Sequence, residues 1–197
     1  MVDTTKIKEL RELTGAGITD CKNALMEANG DIKQAIEILR KKGLKDLEKR
    51  ASRTALEGSL GVYVHPGDKI CAVVELNCET DFVAKNDNFK ALARELAMQV
   101  AAMRPIYLSA ETVPQEVLEK EKEIVISQMR EAPPEKLEKI IQGKLNSFFS
   151  EVCLLEQPYI RDSSKKVKDF LAQEASKFGE NIKVGRFARF EVGEKIL

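Results

Sequence analysis

The sequence predicts an α+β fold: an N-terminal three-helix module, then a core with a small antiparallel sheet packed by helices and a protruding helical hairpin. Apolar residues recur at helical spacing along most of the chain, two runs near residue 70 alternate with period two, and Gly, Pro and Asn punctuate the segments. The predicted domains are a module over 1–44, a charged, partly helical linker over 45–57 and a core over 58–197, with the hairpin at 114–150.

Three short helices are predicted in the module, with Ile7, Leu10 and Leu13 on one face of the first. The candidate N-caps, in chain order, are Thr4 or Thr5, Thr19 or Asp20, and Asp31. The candidate stops are Gly15–Gly17, Asn29–Gly30 and Gly43. A bundle of this size has a small core, so part of its apolar surface is expected to face a partner.

The sheet is predicted from a β-hairpin over 59–78 and a final strand. Pro66–Gly67 suits the central positions of a type II turn, and Gly185 marks a bulge in the final strand. In the last strand the apolar alternation breaks between Val184 and Phe190. The apolar residues are Leu60, Val62 and Val64 in one strand, Ile70, Ala72, Val74 and Leu76 in the next, and Ile182, Val184, Phe187, Phe190 and Val192 in the last.

The core helices are predicted from longer amphipathic segments. Asp87 or Asn88 is the expected cap of a helix that Pro105 ends. The hairpin helices, 114–131 and 135–150, are separated by Ala132, Pro133 and Pro134, and the first has only a thin apolar stripe: Leu118, Val125 and Met129. A further helix follows the loop at 157–160 and carries Val167, Phe170, Leu171 and Phe178.

Composition argues against several classes of function. Among 197 residues, 32 Lys and Arg balance 32 Asp and Glu, which is atypical of a general nucleic-acid binder. The basic stretch over 40–53 fits a solvated helix face, and a phosphate-binding strip is the alternative. No apolar run is long enough for a membrane span, and the N-terminus has no signal-like core, so a cytoplasmic location is expected.

Few residues carry reactive chemistry. The four cysteines form no Cys-x-x-Cys pair and His65 is the only histidine, so no metal, no cofactor and reduced thiols are expected. No phosphate-binding Gly-rich loop and no Gly-x-Ser-x-Gly motif is present. A hydrolase that uses Glu79, Asp81 and His65 is the least favoured hypothesis, because nothing near them suggests a substrate pocket.

One segment, Glu75 to Lys85, departs from the usual composition of a turn. It reads E-L-N-C-E-T-D-F-V-A-K and places Phe82 and Val83 after a strand, where polar residues are expected. In one interpretation Asp81 caps a short helical turn and Phe82 packs into the local core. In the other, Phe82 projects as an apolar anchor for a partner's pocket, with Asp81 as a charged neighbour.

Two long segments resemble the signature regions of the elongation factor Ts family. They are residues 10–25, L-R-E-L-T-G-A-G-I-T-D-C-K-N-A-L, and residues 75–85. The ending F-A-R-F-E-V-G-E at 187–194 and the Q-P-Y-I loop are also similar to that family's core. The resemblance covers nearly the whole chain, in the family's order and spacing.

The resemblance implies a guanine-nucleotide exchange factor, not an enzyme, for the GTPase elongation factor Tu, and a ubiquitin-associated-like N-terminal module. It implies an exchange wedge of Thr80, Asp81, Phe82 and Val83. It implies a module contact through Arg11, Ile18, Thr19 and Lys22, and a contact with a second domain of the GTPase through Tyr159 and Ile160. Thr19 departs from the larger apolar residue frequent in the family, which predicts a weaker contact there.

A second departure concerns length. Longer family members have a duplicated core, and this chain has sequence for about one half, which leads to the hypothesis of a homodimer joined through the core sheet. No direct contact with nucleic acid or membrane is expected. The rival hypothesis is an adaptor that binds a partner through the three-helix module without affecting nucleotide.

Overall fold

The computed structural model describes residues 3–14, 16–128 and 134–194. Its α-helices are α1 Thr4–Thr14, α2 Ile18–Glu27, α3 Ile32–Ala51, α4 Asp81–Lys85, α5 Asp87–Met103, α6 Gln115–Gln128, α7 Pro134–Val152 and α8 Val167–Phe178. Its strands are β1 Glu57–Val64, β2 Ile70–Cys78, β3 Pro158–Tyr159, β4 Asp162–Lys166 and β5 Lys183–Glu191. The predicted α+β class is confirmed.

The helices of the N-terminal module begin at other caps than those predicted, except for α3. The Asp31 carboxylate accepts a hydrogen bond from the Gln34 N–H at 3.0 Å, as expected of an N-cap. The Asp3 carboxylate, rather than Thr4 or Thr5, accepts the Thr5 N–H at 2.9 Å. Gly17 is the N-cap residue of α2, so the predicted caps Thr19 and Asp20 lie inside that helix.

The third helix does not end at Gly43 but continues to Ala51. One glycine inside a helix costs about 1 kcal/mol relative to alanine, and the Leu, Lys, Glu and Arg residues that follow it favour helix. Much of the predicted linker is therefore helical. The core of the module consists of Leu10, Cys21, Ala24, Leu25, Ala28 and Ala35.

The central sheet is antiparallel, with strand order β1-β2-β5. The predicted turn is confirmed: the His65 carbonyl accepts the Asp68 N–H at 3.0 Å, and Gly67, at the third position, has a φ of 95°. The predicted bulge is also confirmed. Glu75 pairs with Arg186 and Leu76 with Val184, so Gly185 is the extra residue of β5.

One face of the sheet is covered by α5. Phe89 of this helix is fully buried and packs edge-to-face on Phe178, with ring centroids 5.8 Å apart. The helix crosses β1 at Gly61, where an added Cβ would lie only 2.0 Å from the Ala93 carbonyl oxygen. The capping residue of α5 is Asn86, whose side chain accepts the Asn88 N–H at 2.8 Å, and not Asp87 or Asn88.

The opposite face of the sheet, called here the outer face, is exposed; it is apolar around Val62 and polar where Glu75 pairs with Arg186. The pairing of Val62 with Val73 and of Cys71 with Phe190 places these side chains on the outer face, together with Leu60 and Val64. The apolar alternation in β1 therefore confirms a strand but lies on the face away from the core. Leu60 is 63% exposed and Phe190 is 57% exposed.

The predicted hairpin corresponds to α6 packed against α7, where Val125 and Leu145 are buried. Met129 and the predicted break at Ala132 and Pro133 lie outside the described residues; α7 begins at Pro134. The predicted loop at 157–160 instead begins a second two-stranded sheet, β3-β4, which the sequence reasoning missed.

Candidate functional site

Phe82 lies on the single turn formed by α4 and is 83% exposed. The interpretation in which it packs into the local core is therefore wrong. Thr80, not Asp81, is the N-cap: its hydroxyl oxygen accepts the Val83 N–H at 3.4 Å. A large aromatic side chain with this exposure has most of its apolar area available for burial against a partner.

Asp81 and Lys85 form an ion pair along the surface of α4. The Lys85 Nζ donates to the Asp81 carboxylate at 2.7 Å, with the i, i+4 spacing that joins side chains on one helix face. This hydrogen bond and the ammonium charge of Lys85 lower the pKa of Asp81, and the same bond and the carboxylate charge of Asp81 raise the pKa of Lys85. Asp81 is thus a carboxylate beside Phe82 at neutral pH.

The other side of α4 is anchored in the protein. Ala84 is buried and Val83 packs against the main core, so the helix presents Phe82 outward. The Cys78 thiol, at the end of β2, donates to the Thr80 carbonyl at 3.2 Å. Burial, followed by the negative charge of Glu180, raises the pKa of this thiol to about 11, so it stays protonated as a donor.

The four predicted contact residues of the module, Arg11, Ile18, Thr19 and Lys22, are all exposed on α1 and α2. The structure adds Leu13, 61% exposed, and Met26, 57% exposed. The position of Met26, four residues after Lys22 and eight after Ile18, was a signal in the sequence that it shares their helix face. The accessible side chains of these two helices are thus both apolar and basic.

Tyr159 and Ile160 differ in accessibility. Tyr159 is 7% exposed, its ring stacks on Phe170 with centroids 4.1 Å apart, and its hydroxyl donates to the Glu95 carboxylate at 2.7 Å. Burial and the Glu95 charge raise the pKa of Tyr159, which keeps the hydroxyl protonated. Ile160 is 37% exposed. Ile160 is therefore the member of the pair whose side chain is accessible, and Tyr159 holds the strand end in place.

A buried amide network fixes the same strand end to α5. The fully buried Gln99 accepts the Ile160 N–H at 2.9 Å and donates to the Pro158 carbonyl at 3.1 Å. Gln157, also fully buried, accepts from Gln99 and donates to the Met103 carbonyl at 3.1 Å. Buried polar groups with all their partners made specify one conformation, so Ile160 is presented on a rigid support.

The residues of the hydrolase hypothesis do not come together. His65 lies at the turn before β2 and shares a hydrogen bond of 3.2 Å with the Tyr63 hydroxyl, whereas Glu79 follows the other end of that strand. A strand of this length separates them by roughly 27 Å. Within 3–14, 16–128 and 134–194, no three His, Cys, Asp or Glu residues are grouped as a metal site requires.

No helix in the part of the chain that the structure describes has the length and apolarity to cross a bilayer.

Comparison with known proteins gives matches over almost the full chain. The family model described as "Elongation factor TS" matches residues 2–194. A Thermotoga maritima protein named elongation factor Ts is 57% identical over 188 residues, covering 95% of this chain and 94% of its own length. The protein of that name from Caldanaerobacter subterraneus subsp. tengcongensis is 55% identical over 198 residues, covering 100% and 99%. The one from Geobacter sulfurreducens is 51% identical over 195 residues, covering 98% and 90%.

Proposed function

This chain belongs to the elongation factor Ts family, which supports a role in translation elongation, and from that premise we propose that it is a guanine-nucleotide exchange factor for elongation factor Tu. It binds the GTPase in its GDP form in the cytoplasm, accelerates GDP release and allows GTP to bind. It performs no covalent chemistry, so it is not an enzyme in the sense of bond-making catalysis. The exposed Phe82 on α4 is the observation that carries this proposal.

The mechanism follows from how such a GTPase holds GDP. Mg²⁺, a lysine and several backbone N–H groups bind the negatively charged β-phosphate. The strength of this electrostatic attraction depends on the positions of these groups. Phe82 inserts between elements of the GTPase near the magnesium site and displaces them, while Asp81 offers a negative charge beside it. Displacing one of these groups weakens GDP binding and raises the rate of GDP loss, although the factor itself does not contact the nucleotide.

Binding of the factor and of nucleotide are reciprocally linked. If the factor weakens GDP binding by some ratio, GDP weakens binding of the factor by the same ratio. Fresh GTP therefore helps to release the factor, and one molecule serves many GTPase molecules.

Two further surfaces contribute affinity. The module binds the GTPase domain through Arg11, Ile18, Thr19 and Lys22, and the neighbouring Met26 enlarges the apolar part of that contact. Ile160, with Tyr159 beneath it, contacts a second domain. The factor thus contacts the GTPase at three places: the module, Ile160 and α4. Of these, only α4 acts on the magnesium site, through Phe82.

The outer face of the sheet is proposed to join two copies of this chain. It exposes Leu60, Val62 and Val64 of one edge strand and Phe190 of the other, an apolar surface that water disfavours. A two-fold axis through such a face pairs the same residues from both copies, so the surface needs to be complementary only to itself. The dimer then carries two copies of Phe82.

Stopped-flow release of a fluorescent GDP from elongation factor Tu tests the proposal. The wild-type chain, in increasing concentration and with excess unlabelled GDP, is expected to raise the release rate to a plateau. If the chain binds the GTPase, as judged by sedimentation of the mixture, yet leaves the release rate unchanged, it is an adaptor and the exchange function is wrong.

A further inference from the structure

The helix that carries Phe82 has little support of its own. It has five residues, and isolated helices of that length are unstable in water. Phe82 is exposed in the free chain and contributes no burial to hold it. The Asp81–Lys85 pair is exposed, and exposed pairs of this spacing stabilise a helix only weakly. The orientation of Phe82 is therefore set by the packing of Val83 and Ala84 against the core and by contacts at the ends of the helix.

The contacts at its N-terminal end converge on Glu180, which is 100 residues away in sequence. One carboxylate oxygen accepts the Glu79 N–H at 3.0 Å and the Thr80 N–H at 3.1 Å, and the other accepts the Thr80 hydroxyl at 2.6 Å. Hydrogen bonds to an ionised acceptor are shorter and stronger than those between neutral groups. Three such bonds hold the backbone where β2 ends and α4 begins.

The bond to the Thr80 hydroxyl also orients the cap. A threonine hydroxyl has one hydrogen, and here that hydrogen is directed to Glu180. The lone pairs of the same oxygen are then free for the Val83 N–H, which the structure places 3.4 Å away. Glu180 thus determines which way Thr80 faces, and Thr80 caps the helix that bears Phe82.

In a second set of hydrogen bonds, the segment before α4 supplies the acceptor and the segment after α8 supplies the donor. The Glu79 carboxylate accepts the Asn181 N–H at 2.6 Å and pairs with Arg53 at 3.5 Å, and the Asn181 amide donates to the Arg53 carbonyl at 2.7 Å. Gly179, with a φ of 74°, ends α8 and turns the chain so that Glu180 and Asn181 reach this site. The residues after α8, the end of β2 and the segment after α3 are therefore tied together.

We propose that Glu180 is a positioning residue for nucleotide exchange, which fixes the start of α4 so that Phe82 is already oriented before the GTPase binds. The inference rests on the proposed exchange function. A preoriented anchor loses less conformational entropy on docking, so more of its burial energy is available to displace the magnesium-binding elements. Without Glu180 the segment samples several orientations and only a fraction of encounters are productive.

The test uses Glu180→Ala, Glu180→Gln and a control, Glu174→Ala. Glutamine keeps one acceptor oxygen but loses the charge and the second acceptor, so it is expected to rescue in part. Glu174 lies on α8 and pairs with Lys177 of the same helix, so its removal changes the charge by the same amount without touching α4. Thermal unfolding of each variant checks that the core remains folded.

The first readout is amide hydrogen exchange in the chain alone, at Thr80 and Val83. We expect exchange roughly ten- to hundred-fold faster in Glu180→Ala, because bonds to a charged acceptor are lost, and unchanged exchange in Glu174→Ala. Unchanged protection in Glu180→Ala overturns the positioning role whatever the GTPase does.

The second readout is the plateau rate of GDP release and the concentration that gives half of it. A roughly ten-fold lower plateau for Glu180→Ala, an intermediate value for Glu180→Gln and a wild-type melting temperature support the proposal. A wild-type plateau with altered amide exchange overturns it. If the wild-type chain itself gives no acceleration, the proposed function is wrong, and the amide exchange then decides the structural part alone.

Discussion

Replacing Phe82 by alanine is the most direct perturbation of the proposed mechanism. The side chain is 83% exposed in the free chain, so its removal deletes almost no internal contact. Substitutions at exposed positions without special roles change stability by less than about 0.5 kcal/mol. The Phe82→Ala protein is therefore expected to fold normally, and any loss of function can be assigned to the docked state.

The magnitude follows from the area that docking buries. Full burial of a phenylalanine side chain is worth about 1.5–3 kcal/mol, and nearly all of this side chain is available to be buried. If that energy acts on the step in which GDP leaves, the plateau rate falls by roughly ten- to hundred-fold, since about 1.4 kcal/mol corresponds to a factor of ten. Binding is expected to persist through the other two surfaces.

The assay is stopped-flow release of fluorescent GDP from elongation factor Tu at saturating factor. Ile106→Ala is the matched control, because Ile106 is also a large exposed apolar residue, 66% accessible, and lies in none of the proposed contacts. Equal plateau rates for wild type and Phe82→Ala would refute the reasoning. An equal loss in Ile106→Ala would show that the effect is not specific to α4.

Three further predictions concern the sheet and the thiols. Gly61→Ala places a methyl group 2.0 Å from the backbone of α5, so urea denaturation should show a loss of about 1–3 kcal/mol or more in the free energy of unfolding; an unchanged midpoint would contradict the close approach. Val62→Glu puts a charge in the outer face and should convert a dimer of the wild-type chain to a folded 22.1 kDa monomer in sedimentation, whereas the proposed dimer is wrong if the wild type sediments as a monomer. Burial raises the pKa values of Cys78 and Cys153 to about 11. Because the unfolded chain loses these thiol protons near pH 9 and the folded chain only near 11, folding stability should fall as pH rises between them, more in wild type than in a Cys78→Ala, Cys153→Ala protein.

Local signals in the sequence were sufficient for most elements because they report local physics. Proline followed by glycine fixes a type II turn through backbone torsion alone, and the asparagine–glycine stop before α3 works in the same way. The caps were harder to predict: Asp3, Thr80 and Asn86 each lie one position before the nearest residue predicted, and Gly17 lies two positions before it. Moving the predicted start of a helix by one to three residues changes the apolar pattern little. A capping side chain, however, reaches the free N–H groups from one position only.

The residues of the candidate site also differ in whether the sequence predicts their accessibility. Helical periodicity accounts for the exposure of Lys22 and Met26 but not for that of Leu13 and Ile18, which lie three residues from the buried Leu10 and Cys21. The accessibility of Phe82 and the burial of Tyr159 do not follow from periodicity either. Both are aromatic residues in short polar segments, and their surroundings come from elsewhere in the chain. Tyr159 is covered by Phe170 and bonded to Glu95, 64 residues away.

The amino-acid sequence alone was sufficient for the α+β class, most helices, the three strands of the central sheet, the bulge at Gly185 and the family, because each depends on neighbouring residues or on a long motif. Which face of β1 is covered is visible only in the folded protein, since an alternating strand has the same pattern whichever face meets the core. Gly61 resolves that choice, because the backbone of α5 approaches where no side chain stands. The tertiary structure alone also joined Glu180 to Thr80, since a hydrogen bond across 100 residues leaves no periodic trace in the chain.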